Sequence, residues 1–347
     1  MGLRGTISSS LVTPEVPVEY TAIKLVKRPE ISITPDLFEV VRLETPELQD
    51  GQCLIKQTHM SLDPAMKGWM MEDRNSYIPP VELGEIMRSS GVAEVVESRN
   101  SDLPVGTRVA GLIGWTEYAV TDGKGLNPLP PGVPDEAVLC VLSLPGLTAY
   151  QGLIEIGKPA AGETLFVTGA AGSVGSMVGQ LGKAEGLRVV GTAGSDEKCR
   201  WIEDELGFDK GINYKDDDFA KQIAEATSDG VDVYFENTGG PVQNVVFHRM
   251  NAHGRIVVCG MIADYNTATP APGPNWINII KRRLTIQGFA MPDHWDNVPT
   301  MAAKLAEYLL AGKLKYRAHV LDGLESAIEG INLLFDGGNS GKLMVKL

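Results

Sequence analysis

Residues 167–183 read VTGAAGSVGSMVGQLGK, with five glycines in seventeen positions. Val174, Val178 and Leu181 nevertheless keep the i, i+4, i+7 spacing of one helix face. Glycine inside a helix costs about 1 kcal/mol against alanine, so Gly172 and Gly175 need a neighbour that tolerates no side chain. A strand, TLFVTG, precedes the stretch and a helix follows it. In that setting Ala170-x-Gly172-x-x-Gly175 suits a dinucleotide: Gly172 lets the main chain approach a pyrophosphate, and Gly175 lets the helix pack close to the sheet. The phosphates then meet free N–H groups and a dipole of about half a positive charge at the helix N-terminus. The competing reading is a glycine-lined packing seam.

The end of the next strand bears on which dinucleotide. It reads VVGTAGSDEK, with Ser195 placed as a helix N-cap and Asp196 as a first-turn acid, two residues late for a ribose 2′-hydroxyl. Lys198 is positioned to reach a 2′-phosphate and Tyr214, on the following strand, to lie against it. The plain alternative is a solvated lysine. NADP(H) is therefore expected.

These residues must be held by some 347 residues, enough for about two domains. Before residue 140 the chain is β-rich, with CLIKQT, GVAEVVES and GTRVAGLIG as strands, and NPLPPGVP reads as a linker. From about residue 163 strands and helices alternate, which predicts a parallel sheet covered on both faces. Beyond residue 297 come a helix near 298–311, a strand at 315–320, a helix at 324–335 and a last strand at 342–347. A net charge of −13 and a pI near 4.9 argue against nucleic acid and anionic lipid as partners. No unbroken apolar run of about 18 residues suggests a membrane span, and no signal peptide pattern opens the chain. Cys53, Cys140, Cys199 and Cys259 are scattered, as free thiols in a reducing cytoplasmic setting would be. MGLRGT fits the N-myristoylation pattern through Gly2 and Thr6, without a supporting basic run.

The chain resembles the medium-chain dehydrogenase/reductase superfamily, most of all its zinc-free leukotriene B4 dehydrogenase, prostaglandin, alkenal and curcumin reductases. MSLDPAMKGWM, SYIPPVELGEIM, LPGLTAYQGL, the glycine stretch, LGFDKGINYK, YFENTGG, VVCGMIADYN and GGNSGKLMVKL carry the resemblance. It implies an α/β chain: a GroES-like catalytic domain from 1–139 and 312–347, and a Rossmann-type NADP-binding domain over 140–311. It also implies a homodimer joined through the cofactor domains. By position, Gly172, Ser173, Val174 and Gly175 would hold the pyrophosphate, and Lys198 with Tyr214 the 2′-phosphate. Asn237 would lie by the ribose, and Cys259, Gly260, Met261, Ile262 and Tyr265 by ribose and nicotinamide. Phe289, Ala290 and Met291 would flank the nicotinamide, and Asn339 would close the site. Two segments depart from the family pattern: relatives read DPYMRG where this chain has Ala65, Met66 and Lys67, and FAMPDHWDN lacks the usual aromatics.

Zinc enzymes of the superfamily need a Cys, a His and a further Cys or carboxylate around an open position. Here THMSLDP supplies His59 without a Cys, Gly84-Glu85 replaces Gly-His-Glu, and His248, His253, His294 and His319 lack ligand spacing. No metal is expected. Tyr20 and Lys24 match Tyr-x-x-x-Lys, but on the wrong side of the glycine motif. The expected reaction is conjugate reduction of an α,β-unsaturated carbonyl, with Tyr265 and the cofactor ribose stabilising the enolate and Tyr265 a candidate proton donor. A packing role against the ribose is the alternative for Tyr265. Met66, Trp69 and Tyr77 are expected in the pocket wall. An NADPH quinone reductase, or an NADPH-binding protein without turnover, are the alternative functions.

Overall fold

The computed structural model describes residues 17–347, so the MGLRGT motif lies outside the described residues. Six parallel strands form one sheet: β1 (Thr164–Val167), β2 (Arg188–Ala193), β3 (Lys210–Asn213), β4 (Val231–Glu236), β5 (Met250–Val258) and β6 (Thr285–Gly288). Their order across the sheet is β3-β2-β1-β4-β5-β6. Parallel neighbours require crossovers, and helices supply several of them: α1 (Ser173–Ala184) between β1 and β2, and α2 (Asp196–Asp204) between β2 and β3. Because β1 leads to one side of the sheet and β4 to the other, a crevice opens beyond their C-terminal ends. All four β1 side chains are buried, which is why that strand reads as an unbroken apolar run.

A second, seven-stranded sheet combines Cys53–Ser61, Ser90–Ser98, Arg108–Leu112, Tyr118–Thr121 and Asn127–Pro128 with Ala318–Asp322 and Lys342–Lys346. The last strand runs antiparallel to Cys53–Ser61, pairing Val345 with Met60, so distant parts of the chain build one β-rich unit. Buried Lys342 secures that joint: its Nζ donates to the Leu62 carbonyl at 2.6 Å and to Asp63 Oδ1 at 3.0 Å. A buried ion pair needs such extra bonds to offset its desolvation.

Three segments differ from the sequence expectation. The strand placed at 315–320 sits at Ala318–Asp322. The helix placed at 324–335 is two short ones, Ser326–Gly330 and Leu333–Asp336. The helical stretch Asp135–Gly157 spans 23 residues, its most apolar window has mean hydropathy 1.6, and by length and composition alone it would suffice to cross a membrane. Thr148, Tyr150 and Gln151 interrupt its apolar sequence, which hides it from a search for unbroken runs. Since 72% of its most apolar window is buried inside the protein, it serves as a core helix. The cysteines are free: Cys53, Cys140 and Cys199 are buried and Cys259 is half-buried.

Candidate active site

The glycine turn begins at Gly169, one residue before the motif's first position at Ala170. Gly169, at φ +60°, makes the left-handed turn out of β1, and its carbonyl accepts from Gly172 N at 2.9 Å. Gly172 is extended and caps α1. A Cβ on Gly175 would lie 2.3 Å from the Gly169 oxygen, so only glycine permits this packing of helix on turn. Among the described residues nothing accepts from the N–H groups of Ser173, Val174 and Gly175. Three converging unpaired donors at a helix N-terminus fit a dinucleotide diphosphate. Gly341 N donates to the Ala171 carbonyl at 3.1 Å, which lays the C-terminal segment along the turn. Within that segment Asn339 Nδ2 donates to the Gly341 carbonyl at 3.0 Å.

At the far end of the crevice, Ser195 Oγ accepts from Lys198 N at 3.3 Å and caps α2, as its position predicts. Lys198 is more than a solvated lysine. Its Nζ donates to the Gly337 carbonyl at 2.7 Å, and burial lowers its pKa, with the charge of Lys215 adding to the effect. The Tyr214 ring stands over Gly194, where a Cβ would meet its Oη at 3.1 Å.

Between these ends lies a fully buried carboxylate that the sequence reading missed. Glu236, at the end of β4, accepts from Thr168 Oγ1 at 2.6 Å, Thr238 N at 2.7 Å, Gly239 N at 3.0 Å and the Tyr234 hydroxyl. Its carbonyl accepts from Cys259 N at 2.9 Å and Gly260 N at 3.1 Å. Asn237 donates through Nδ2 to the Thr168 carbonyl at 2.7 Å. One buried acid thus sets the relative position of segments 168–169, 237–239 and 259–260. The signal for it was an acid at the very end of the strand pattern VDVYFE, directly after apolar Val233, Tyr234 and Phe235.

Segment 259–265 curls back on itself, with Ile262 N donating to the Asn237 carbonyl at 3.2 Å. Tyr265 Oη accepts a long bond from Met261 N at 3.4 Å, leaving its own O–H free to donate. Burial pushes the Tyr265 hydroxyl above the usual phenol pKa, with Cys259 and Tyr77 acting in the same direction, while the Met261 N–H opposes the shift. Tyr77 itself is 55% exposed. The Cys259 thiol is pushed up to about 12 by burial and by Glu236, so it stays protonated and inert.

The remaining expected residues divide. Phe289 is half-buried, with its ring close enough to Gly152 that a Cβ there would meet Phe289 Cζ at 2.9 Å. Ala290 is half-buried, while Met291 belongs to the core. Met66 is wholly buried and Trp69 nearly so, both in the apolar core of the β-rich unit, with Arg88 over the Trp69 ring at 5.6 Å.

His59 gives its Nδ1 to Asp135 Oδ2 at 2.9 Å. Burial works against the Asp135 charge, yet bonds from His59, Thr58 and Arg108 hold its carboxyl well below the usual range. Among the described residues no group of three or more His, Cys, Asp or Glu is arranged to hold a metal ion.

Residues 21–129 match the family model described as the N-terminal domain of oxidoreductase, and residues 173–307 the one described as zinc-binding dehydrogenase. The NADPH-dependent curcumin reductase of Escherichia coli (strain K12) is 39% identical over 331 residues, 93% of this chain and 95% of that protein. The 2-alkenal reductase (NADP(+)-dependent) of Nicotiana tabacum is 36% identical over 308 residues, 88% and 90% of the two chains. Among solved structures, CurA of Vibrio vulnificus in complex with NADPH superposes with a TM-score of 0.89 at 38% identity, covering 94% of this chain and 98% of that one. The chain is a medium-chain dehydrogenase/reductase of the zinc-independent branch. As a member of that superfamily it is an oxidoreductase, and its crevice, glycine turn and β-rich unit are the parts such an enzyme needs.

Proposed function

We propose that this protein reduces the carbon–carbon double bond of α,β-unsaturated aldehydes and ketones. The cofactor is NADP(H), which fits the unpaired donors at α1 and the cationic end of the crevice near Lys198. The observation that carries the reading is Tyr265, a buried hydroxyl with a free O–H beside segment 259–262. Bound NADPH supplies a hydride to the substrate β-carbon. Negative charge then collects on the substrate carbonyl oxygen, where the Tyr265 hydroxyl donates a hydrogen bond. The same hydroxyl gives its proton to the α-carbon and is reprotonated from solvent. Glu236 keeps segments 237–239 and 259–260 in register with the glycine turn, and half-buried Phe289 and Ala290 would flank the nicotinamide. The names of the curcumin and alkenal reductases support this substrate class. With NADPH and a panel of enones, absorbance at 340 nm falls and each product gains two hydrogens. A flat trace across alkenals and dienones contradicts the proposal.

The pH profile follows from the donor. Tyr265 must be protonated to act, and burial moves its titration above the usual value of about 10. Turnover at saturating substrate therefore stays level through neutrality and falls only on the alkaline side of that value. A fall centred near neutrality would assign the proton to another group.

Lys198→Ala weakens NADPH about ten- to a hundredfold, as expected for a charge-assisted contact, and leaves NADH unchanged. Equal losses for both cofactors, read by fluorescence titration, would take Lys198 off the 2′-phosphate.

The protein is a homodimer joined at the β6 edge. Thr285, Gln287 and Gly288 on that edge strand are exposed, and Trp276 (62%) and Ile280 (73%) stand uncovered beside it. Light scattering gives a dimer mass for the wild type and a monomer for Ile280→Glu; a monomeric wild type contradicts this. A cytoplasmic location accords with the free thiols.

A further inference from the structure

The C-terminal end of β3 carries a charge that the site as described leaves without a task. Tyr214 N donates to the Ala193 carbonyl at 3.1 Å, tying the end of β3 to the end of β2. The next residue, exposed Lys215, has its backbone N–H fixed on Asn213 Oδ1 at 3.2 Å. The other end of the Asn213 amide is also engaged: Nδ2 donates to Asp196 Oδ1 at 2.8 Å. Asn213 thereby fixes the main chain at Lys215 and occupies an oxygen of the acid in the first turn of α2.

Within 4 Å neither Lys198 nor Lys215 has a carboxylate partner among the described residues, although the chain carries a net charge of −13. Burial disfavours the charged form of Lys198 and so does Lys215, while Asp336 and Glu197 act the other way. Two like charges with no carboxylate in ion-pair contact gain when an anion joins them. A phosphate monoester carries about −1.5 to −2 at neutral pH, more than one lysine neutralises.

We infer that Lys215 is a second cation for the cofactor's adenosine 2′-phosphate, acting with Lys198, while Asn213 holds the Asp196 carboxylate away from that phosphate. The inference rests on the NADP(H) reading above and adds a residue that determines cofactor choice. It also gives Asp196 a place beside a site that takes a phosphate: one oxygen of its carboxylate accepts from Asn213.

Calorimetric titration of the full-length protein with 2′,5′-ADP and 5′-AMP isolates the 2′-phosphate without turnover. The wild type binds 2′,5′-ADP more tightly than 5′-AMP. Lys215→Ala weakens 2′,5′-ADP about tenfold, leaves 5′-AMP unchanged and flattens the salt dependence of 2′,5′-ADP binding. Lys215→Arg restores most of the affinity. An unchanged preference in Lys215→Ala, or equal weakening of both ligands, overturns the role of Lys215 while the NADP(H) reading stands. A wild type that binds the two ligands equally overturns both.

Discussion

Replacing Tyr265 by phenylalanine lowers turnover about a hundredfold, the cost of removing one donor aimed at a developing oxyanion, while NADPH affinity stays close to wild type. The substitution deletes only the hydroxyl. The ring still fills its place beside Gly260, where a Cβ would come within 3.3 Å of Tyr265 Oη, so the 259–262 turn keeps its shape. The Met261 N–H loses a weak acceptor at 3.4 Å, a small effect on the fold. A loss in turnover without a loss in cofactor binding separates the proton-donor role from packing against the ribose. Turnover near the wild-type value would leave the cofactor ribose hydroxyl and water as the donors.

Gly175→Ala has the largest expected effect on cofactor binding. The added methyl would stand 2.3 Å from the Gly169 oxygen and 2.9 Å from Ala170 Cα, so turn and helix must separate. The Ser173, Val174 and Gly175 N–H groups then no longer converge on one point, and NADPH affinity falls at least about a hundredfold. Overpacking at such a site costs about 1–3 kcal/mol of stability, which leaves a folded protein whose binding can be measured. Fluorescence titration of the variant, with circular dichroism to confirm its fold, gives the answer. NADPH binding close to wild type would mean that the glycine turn is a packing seam and that the diphosphate lies elsewhere.

The parts of this site that were legible in the sequence are those set by neighbours along the chain. Ser195 caps α2 through a bond to a residue three positions on, and the spacing of Gly172 and Gly175 announced the helix start. The left-handed turn itself falls on Gly169, one residue before Ala170, which holds the motif's first position. What the sequence hid depends on pairings across the fold. Thr168 and Glu236 are 68 positions apart, and Lys198 and Gly337 are 139 apart, so neither bond leaves a local trace. Met66 shows the same limit from the other side. The family resemblance would put it in the pocket wall, yet its side chain lies in the core of the β-rich unit, and only the packing decides that. The helical stretch Asp135–Gly157 escaped notice because its burial is collective, with polar residues interrupting an otherwise apolar sequence.

The central claim is that the reaction adds hydrogen across a carbon–carbon bond conjugated to a carbonyl, with a tyrosine hydroxyl on the oxygen. NMR of the product formed from an enone and NADPH deuterated at the transferable C4 position tests it most directly. The account predicts a saturated ketone with deuterium on the β-carbon and a solvent-derived proton on the α-carbon. An allylic alcohol with deuterium on the former carbonyl carbon would contradict it.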